Sequence, residues 1–318
     1  MNCRIIKDKA IAYALGLGTF ISVQSQSNLV NWTEKTSDFL DTSNCFKYYE
    51  STGDLKLDDG SFQKFKGYFV IADLNDTACI IKTHFSRIPQ GYSNFFSTNQ
   101  SAPVMIVNGG FFGADTSYSL LIANDTIHSK NPETLIRNGI KHLVSRPAFY
   151  LDMNNNPGIS WVYTDNKEQT FRLDSPIDCT EEEHQESQHL NFMNTQEPLK
   201  PKWAIGGGPM LIYNNTILET YTPEHFLEDI TDAIAPRTAV GITADNKVVF
   251  MVIDGRQEHS VGVSLQSLAK LMSELGCSYA MNLDGGSSSF MALNKVIINK
   301  PSGLNPPRIS TIISLGLR

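Results

Sequence analysis

Asp284 ends an apolar stretch in the run Tyr279-Ala280-Met281-Asn282-Leu283-Asp284-Gly285-Gly286-Ser287-Ser288-Ser289, which delivers an amide, a carboxylate, two glycines and three hydroxyls in succession. A carboxylate so placed can transfer a proton or face a developing cation, while Asn282 and Ser287 can orient a ligand. Gly285 and Gly286 let the backbone come close to it. Three other segments share the design. Asn108-Gly109-Gly110 closes the apolar run Pro103 to Val107, Gly206-Gly207-Gly208-Pro209 offers consecutive backbone N–H groups, and Asp254-Gly255-Arg256, with Glu258, follows Val248 to Ile253. Arg237 and Arg308 each open a β-rich run. Arginines beside carboxylates suit a substrate whose anionic group adjoins a centre that turns cationic. Taken singly, each motif has a plainer reading: a hairpin turn, a tight sheet corner, or an Arg237–Asp254 ion pair between strand ends. As a set they predict a site.

The elements that must position these residues are clearest in the last third. Thr238 to Thr243 and Val248 to Ile253 flank Ala244-Asp245-Asn246-Lys247, which predicts an antiparallel hairpin with Arg237 opposite Asp254. Ser264 can cap a helix with apolar residues at 265, 268, 272 and 275, and Gly276 ends it. With the strand Tyr279 to Leu283 this predicts a parallel βαβ unit whose carboxyl edge carries both Asp254 and Asp284. The expected fold class is α+β with an α/β-like character: a mixed β-sheet flanked by helices, with the βαβ unit at its C-terminal end. Residues 1–27 read as a signal peptide, 28–102 as an N-terminal lead-in with strands, and 103–318 as the main domain. Lys167 to Lys202 is polar and acidic and reads as a surface excursion.

Composition removes several function classes. Net charge is -7 over 318 residues and there is no basic run, which argues against a nucleic-acid partner. No P-loop or dinucleotide fingerprint accompanies the glycines. Asp152 to Gly158 imitates a calcium loop, but Pro157 stands where the turn glycine belongs, so it reads as a turn. Glu183, His184 and His189 lack zinc-motif spacing, no metal site is predicted and no cofactor is required; Asp254 and Asp284 could still hold a divalent cation. Of the histidines, His259 beside Arg256 is the better candidate for acid–base chemistry. The basic start and the apolar stretch Ala10 to Val23 predict export to the periplasm or the extracellular space, without stable membrane insertion once the signal is removed. Cys45, Cys79, Cys179 and Cys277 then remain, enough for none, one or two disulfides.

Val107 to Phe112, Ala235 to Gly241, Asp254-Gly255-Arg256, Gly262 to Leu265 and Asn282 to Ser288, in this order, resemble the phosphodiester glycosidase family. The resemblance runs from about residue 103 to the C-terminus, and some members carry a third glycine where Ser287 stands. It implies a hydrolase that cuts the glycosidic C–O bond of a sugar-1-phosphodiester, such as N-acetylglucosamine-1-phosphodiester, giving free sugar and a phosphomonoester. The partner would be a phosphorylated glycan. Asp254, Asp284 and Arg237 are the expected catalytic residues. Asn108, Gly109, Gly110, Gly207, Gly208, Arg256, Glu258, Asn282, Gly285, Gly286, Ser287 and Arg308 would line the substrate. The alternatives are a glycan-binding or exopolysaccharide-assembly protein without turnover, and a metal-dependent phosphodiesterase.

Overall fold

The computed structural model describes residues 29–39, 45–97, 103–180, 182, 197–303 and 307–317. The expected signal segment 1–27 and the Glu183, His184 and His189 stretch lie outside the described residues. What is described is built mostly of β-sheet, 51% strand against 11% helix, which overturns the expectation of a sheet flanked by helices. Ser93–Ser97 and Glu228–Thr231 are single turns, and Leu265–Glu274 is the one longer helix among the described residues.

Three larger sheets carry the molecule. One has eight strands, with Phe46–Thr52, Gly67–Asp73, Lys247–Ile253, Arg237–Thr243, Cys277–Asn282 and Met210–Tyr213 at its centre. A seven-stranded sheet is centred on Pro157–Thr164, Arg146–Asp152 and Pro201–Gly206, and a five-stranded sheet on Met105–Asn108 and Arg308–Leu317. The predicted hairpin forms, with Arg237 paired to Ile253 and Val240 to Phe250. The parallel βαβ unit does not form as expected. Arg237–Thr243 inserts between Lys247–Ile253 and Cys277–Asn282 and pairs antiparallel with both. The helix therefore crosses over a strand that already occupies the neighbouring slot. The two flanking strands still run in the same direction, so their carboxyl ends share an edge with Arg237.

Strand period explains why this part is buried throughout. On Lys247–Ile253 the even residues Val248, Phe250 and Val252 enter the core between the sheets, beside Phe149, Ile205 and Met281. The odd residues Val249, Met251 and Ile253 meet Leu265, Leu268, Ala269 and Met272 of the helix. That helix starts at Ser264, whose side chain accepts from the Ser267 N–H, and closes at Gly276 with φ 79°. Gly241 makes the close approach possible: a Cβ there would lie 2.7 Å from both Cys277 Sγ and Met272 Cε. Cys45 and Cys79 form a disulfide, one of the two that the cysteine count allowed, while Cys179 and Cys277 are buried.

Candidate active site

The shared edge is assembled from loops that follow strand ends, and backbone contacts tie them together. Asp284 N–H donates to Gly109 O at 3.0 Å, and Gly286 N–H to Pro236 O at 2.9 Å. The buried Asn108 clamps this junction. Its Nδ2 donates to Asp284 O at 2.6 Å while its Oδ1 accepts from Thr238 Oγ1 and Phe290 N. Gly109 and Gly110 are required by packing, because a Cβ would meet Ile205 Cδ1 at 2.3 Å or Gly206 O at 2.3 Å. A Cβ on Gly207 would lie 2.7 Å from Asn282 O, and Gly208 N–H donates to that oxygen at 2.7 Å. Asn282 Nδ2 returns bonds to Gly208 O and Leu283 O, and its buried Oδ1 has no partner among the described residues. These residues build the floor.

Two groups at the rim have chemistry to spare. Burial pushes the Asp284 carboxyl up to about 6, only partly offset by hydrogen bonds from Ser288 and from the Gly285 N–H at 2.9 Å. Arg256 is exposed and holds a left-handed backbone at φ 58°, a conformation that costs a non-glycine residue about 1 kcal/mol. Its guanidinium lies over the Asp284 loop, with Nη1 3.3 Å from where a Gly286 Cβ would stand, and no described group pairs with it. An unpaired guanidinium in a costly backbone state, above a carboxyl raised well over the usual carboxylate range, marks a candidate ligand site.

Asp254 and Arg237 are spent differently. Asp254 is 1% exposed and its carboxylate accepts from Asn299 Nδ2 at 3.0 Å and from Lys300 N at 2.9 Å. Its Oδ2 also lies 3.0 Å from His259 Nε2 and takes a longer contact of 3.4 Å from Tyr68 OH. The second imidazole nitrogen, Nδ1, is thereby left as the one able to serve a ligand. Arg237 points its Nε at Val263 O at 3.1 Å and its Nη atoms at Ile230 O and Ala233 O. Burial, against the opposing pull of Tyr221 and with a smaller contribution from Arg256, lowers it to about 10. It ties the Glu228–Thr231 turn to the sheet and does not pair with Asp254. Glu258 is exposed on the same short hairpin as Arg256 and His259, and Ser287 is exposed beside Gly303. Arg308 is not brought in: its guanidinium donates to Pro89 O at 3.0 Å.

One residue of the floor has no signature in the sequence. Glu224 is 2% exposed, and its Oε1 accepts from Met210 N at 2.9 Å and Trp161 Nε1 at 3.0 Å. Burial raises it to about 7, and Oε2, beside Gly208, has no partner among the described residues. Arg146 stacks its guanidinium 3.6 Å above the Phe226 ring next to it. No group of three or more His, Cys, Asp or Glu gathers as a metal cluster among the described residues.

The profile of the family described as phosphodiester glycosidase matches residues 101–315. Bos taurus N-acetylglucosamine-1-phosphodiester alpha-N-acetylglucosaminidase is 28% identical over 120 residues, 35% of this chain and 23% of that protein. The SPbeta prophage-derived uncharacterized protein YomE of Bacillus subtilis is 35% identical over 78 residues, 24% of this chain and 12% of that one. The shared stretch thus spans less than a quarter of either relative. The zebrafish N-acetylglucosamine-1-phosphodiester alpha-N-acetylglucosaminidase catalytic domain, auto-inhibited by its pro-peptide, superposes with a TM-score of 0.59 at 16% identity, over 91% of this chain and 89% of its own. A putative exported protein of Burkholderia pseudomallei superposes with a TM-score of 0.54 at 13% identity, over 84% and 76% of the two chains. At such identities the superpositions speak for the fold alone. The matched span takes in every loop of the shared edge, from Asn108 to Gly286, and this chain belongs to the phosphodiester glycosidase family.

Proposed function

We propose that this protein hydrolyses the glycosidic C–O bond of a sugar-1-phosphodiester, releasing the free sugar and a phosphomonoester. The observation that carries the reading is that Asp284, its carboxyl raised to about 6, and the unpartnered Arg256 guanidinium lie at the same loop. Breaking that bond puts positive charge on the sugar and negative charge on the departing phosphate, so one carboxylate and one guanidinium are needed on opposite sides of it. Arg256 takes the phosphate through its fork of donors. His259, held through Nε2 by Asp254, stands on the same hairpin as Arg256 with Nδ1 left for the substrate or its water. Asp284, ionised, draws a proton from the attacking water or faces the sugar cation. A phosphate is already a good leaving group, which relieves the site of a strong general acid. Arg237, Asp254, Asn108 and Glu224 position the loops. N-acetylglucosamine is the first sugar to try, because the bovine and zebrafish relatives carry it in their names. The disulfide fits an exported protein, and no helix among the described residues is long and apolar enough to cross a membrane.

The test is incubation of the purified protein with a methyl N-acetylglucosamine-1-phosphodiester in water enriched in heavy oxygen, with and without EDTA, followed by mass spectrometry. Heavy oxygen in the released sugar is the expected result. Heavy oxygen in the phosphate, with sugar 1-phosphate as product, would move the cut to the P–O bond and refute the proposal. Binding without turnover would favour a glycan-binding protein.

A further inference from the structure

At the opposite end of the same strands lies a second cavity, of about 500 Å³, between the eight-stranded and seven-stranded sheets. It opens beside the Ala244–Asn246 turn, whereas Arg237 and Asp254 stand at the far end of that hairpin. Seven residues of strand put roughly 20 Å between the two places. Three tyrosines wall it, Tyr150, Tyr213 and Tyr279. Tyr213 is locked: Tyr279 meets it edge-on at 5.5 Å, Trp161 lies 5.0 Å away, and its hydroxyl donates to Asp174 at 3.2 Å.

The polar groups of this wall are only partly used. Asn215 takes the Ser278 hydroxyl on its Oδ1 at 2.8 Å, so its amide N–H groups are left to donate. Asn246 sits in the left-handed region at φ 67° at the turn tip, and no described group bonds its side-chain amide. The lining carries one guanidinium, Arg172, and one carboxylate, Asp174, so formal charge is balanced and the cavity offers no pull on a phosphate.

We infer that this cavity is a binding site for neutral saccharide, separate from the Arg256–Asp284 edge. Rigid aromatic walls take the apolar faces of sugar rings, and amides and hydroxyls at fixed positions take their hydroxyl groups, the combination that lets tyrosine-rich surfaces hold amphipathic ligands. The site stands whether or not the proposed hydrolysis does, because neither its residues nor its chemistry enter that reaction.

The test is calorimetric titration of the whole protein with chitotriose, maltotriose and cellotriose. At least one is expected to bind with a Kd of about 1 mM. Tyr279→Ala should weaken that binding by about tenfold or more. Asn246→Gly, which keeps the left-handed turn and deletes the amide, should weaken it by about threefold with an unchanged melting temperature. Asp284→Asn should leave it unchanged, and Tyr279→Ala should leave turnover of a small phosphodiester unchanged. The inference is overturned if none of the three sugars binds, or if binding survives Tyr279→Ala and Asn246→Gly but is lost in Arg256→Ala.

Discussion

Asp284→Asn should abolish turnover and at the same time make the protein more stable at neutral pH. The side chain is half-buried, and its carboxyl titrates at about 6 where an aspartate ordinarily titrates at 3.8. A folded pKa above the unfolded value means that the native state binds more protons between those two values, so stability falls as pH rises through the window. At about 1.4 kcal/mol per pH unit, a rise from 3.8 to about 6 amounts to about 3 kcal/mol held against the fold once the group is ionised. Water at the partly exposed rim trims this to about 2 kcal/mol. The amide keeps the shape: its oxygen still accepts from the Gly285 N–H, and its nitrogen can donate to the Ser288 hydroxyl. Thermal unfolding of the two proteins at about pH 8 should therefore show the variant higher by about 4 °C. Near pH 4 the wild-type carboxyl is already neutral in the folded protein, and the difference should shrink towards zero. A variant that melts lower than wild type at about pH 8 would mean that the charge is structural, and retained hydrolysis would mean that Asp284 has no part in the chemistry.

If ionised Asp284 is the working form, kcat/KM for a sugar-1-phosphodiester should rise as pH increases through about 6 and then level off, a limb to be read from initial rates. Arg256→Gly should cost about tenfold or more in kcat/KM while leaving the melting temperature equal or higher, because glycine accepts the φ 58° backbone without strain. Arg237→Ala strips donors from the Val263, Ile230 and Ala233 carbonyls and should lower stability by about 3 kcal/mol in denaturant titration, with KM of the folded enzyme little changed. Replacing Cys45 and Cys79 by serine opens a cross-link spanning 34 residues and should cost about 4 kcal/mol, read as a lower midpoint of unfolding by urea.

What could be read from the sequence was local. The hairpin Arg237–Thr243 with Lys247–Ile253 and the capped helix after Ser264 follow from period and stop signals, and both are in the structure. The parallel sheet was misread because a strand–helix–strand order fixes the direction of the two strands and not what lies between them. Here Arg237–Thr243 fills that slot, and the strands of the two other large sheets, most of which the sequence did not assign, make the protein β-rich. Glu224 could not be found, since nothing in Tyr221 to His225 distinguishes a buried carboxyl from a solvated one. Its role depends on Met210 and Trp161, which reach it from two different sheets.

The division of labour among the charged residues of the edge likewise depends on tertiary partners. Arg237, Asp254, Arg256 and Asp284 look equivalent in sequence, each a charged residue at a strand end. A buried charge is tolerated when its hydrogen-bonding capacity is filled, and Arg237 and Asp254 meet that condition with three carbonyls on one and an amide, a backbone N–H and an imidazole on the other. Such residues are expensive to remove and have little left to give a substrate. Arg256 and Asp284 are the reverse case, a cation without a partner and a carboxyl that titrates two pH units above its usual range, roughly. Burial and hydrogen-bond satisfaction, which no motif encodes, separate the pair that holds the edge together from the pair available for chemistry. Arg237→Ala should fail in stability and Asp284→Asn in turnover; the opposite pattern would reverse the assignment.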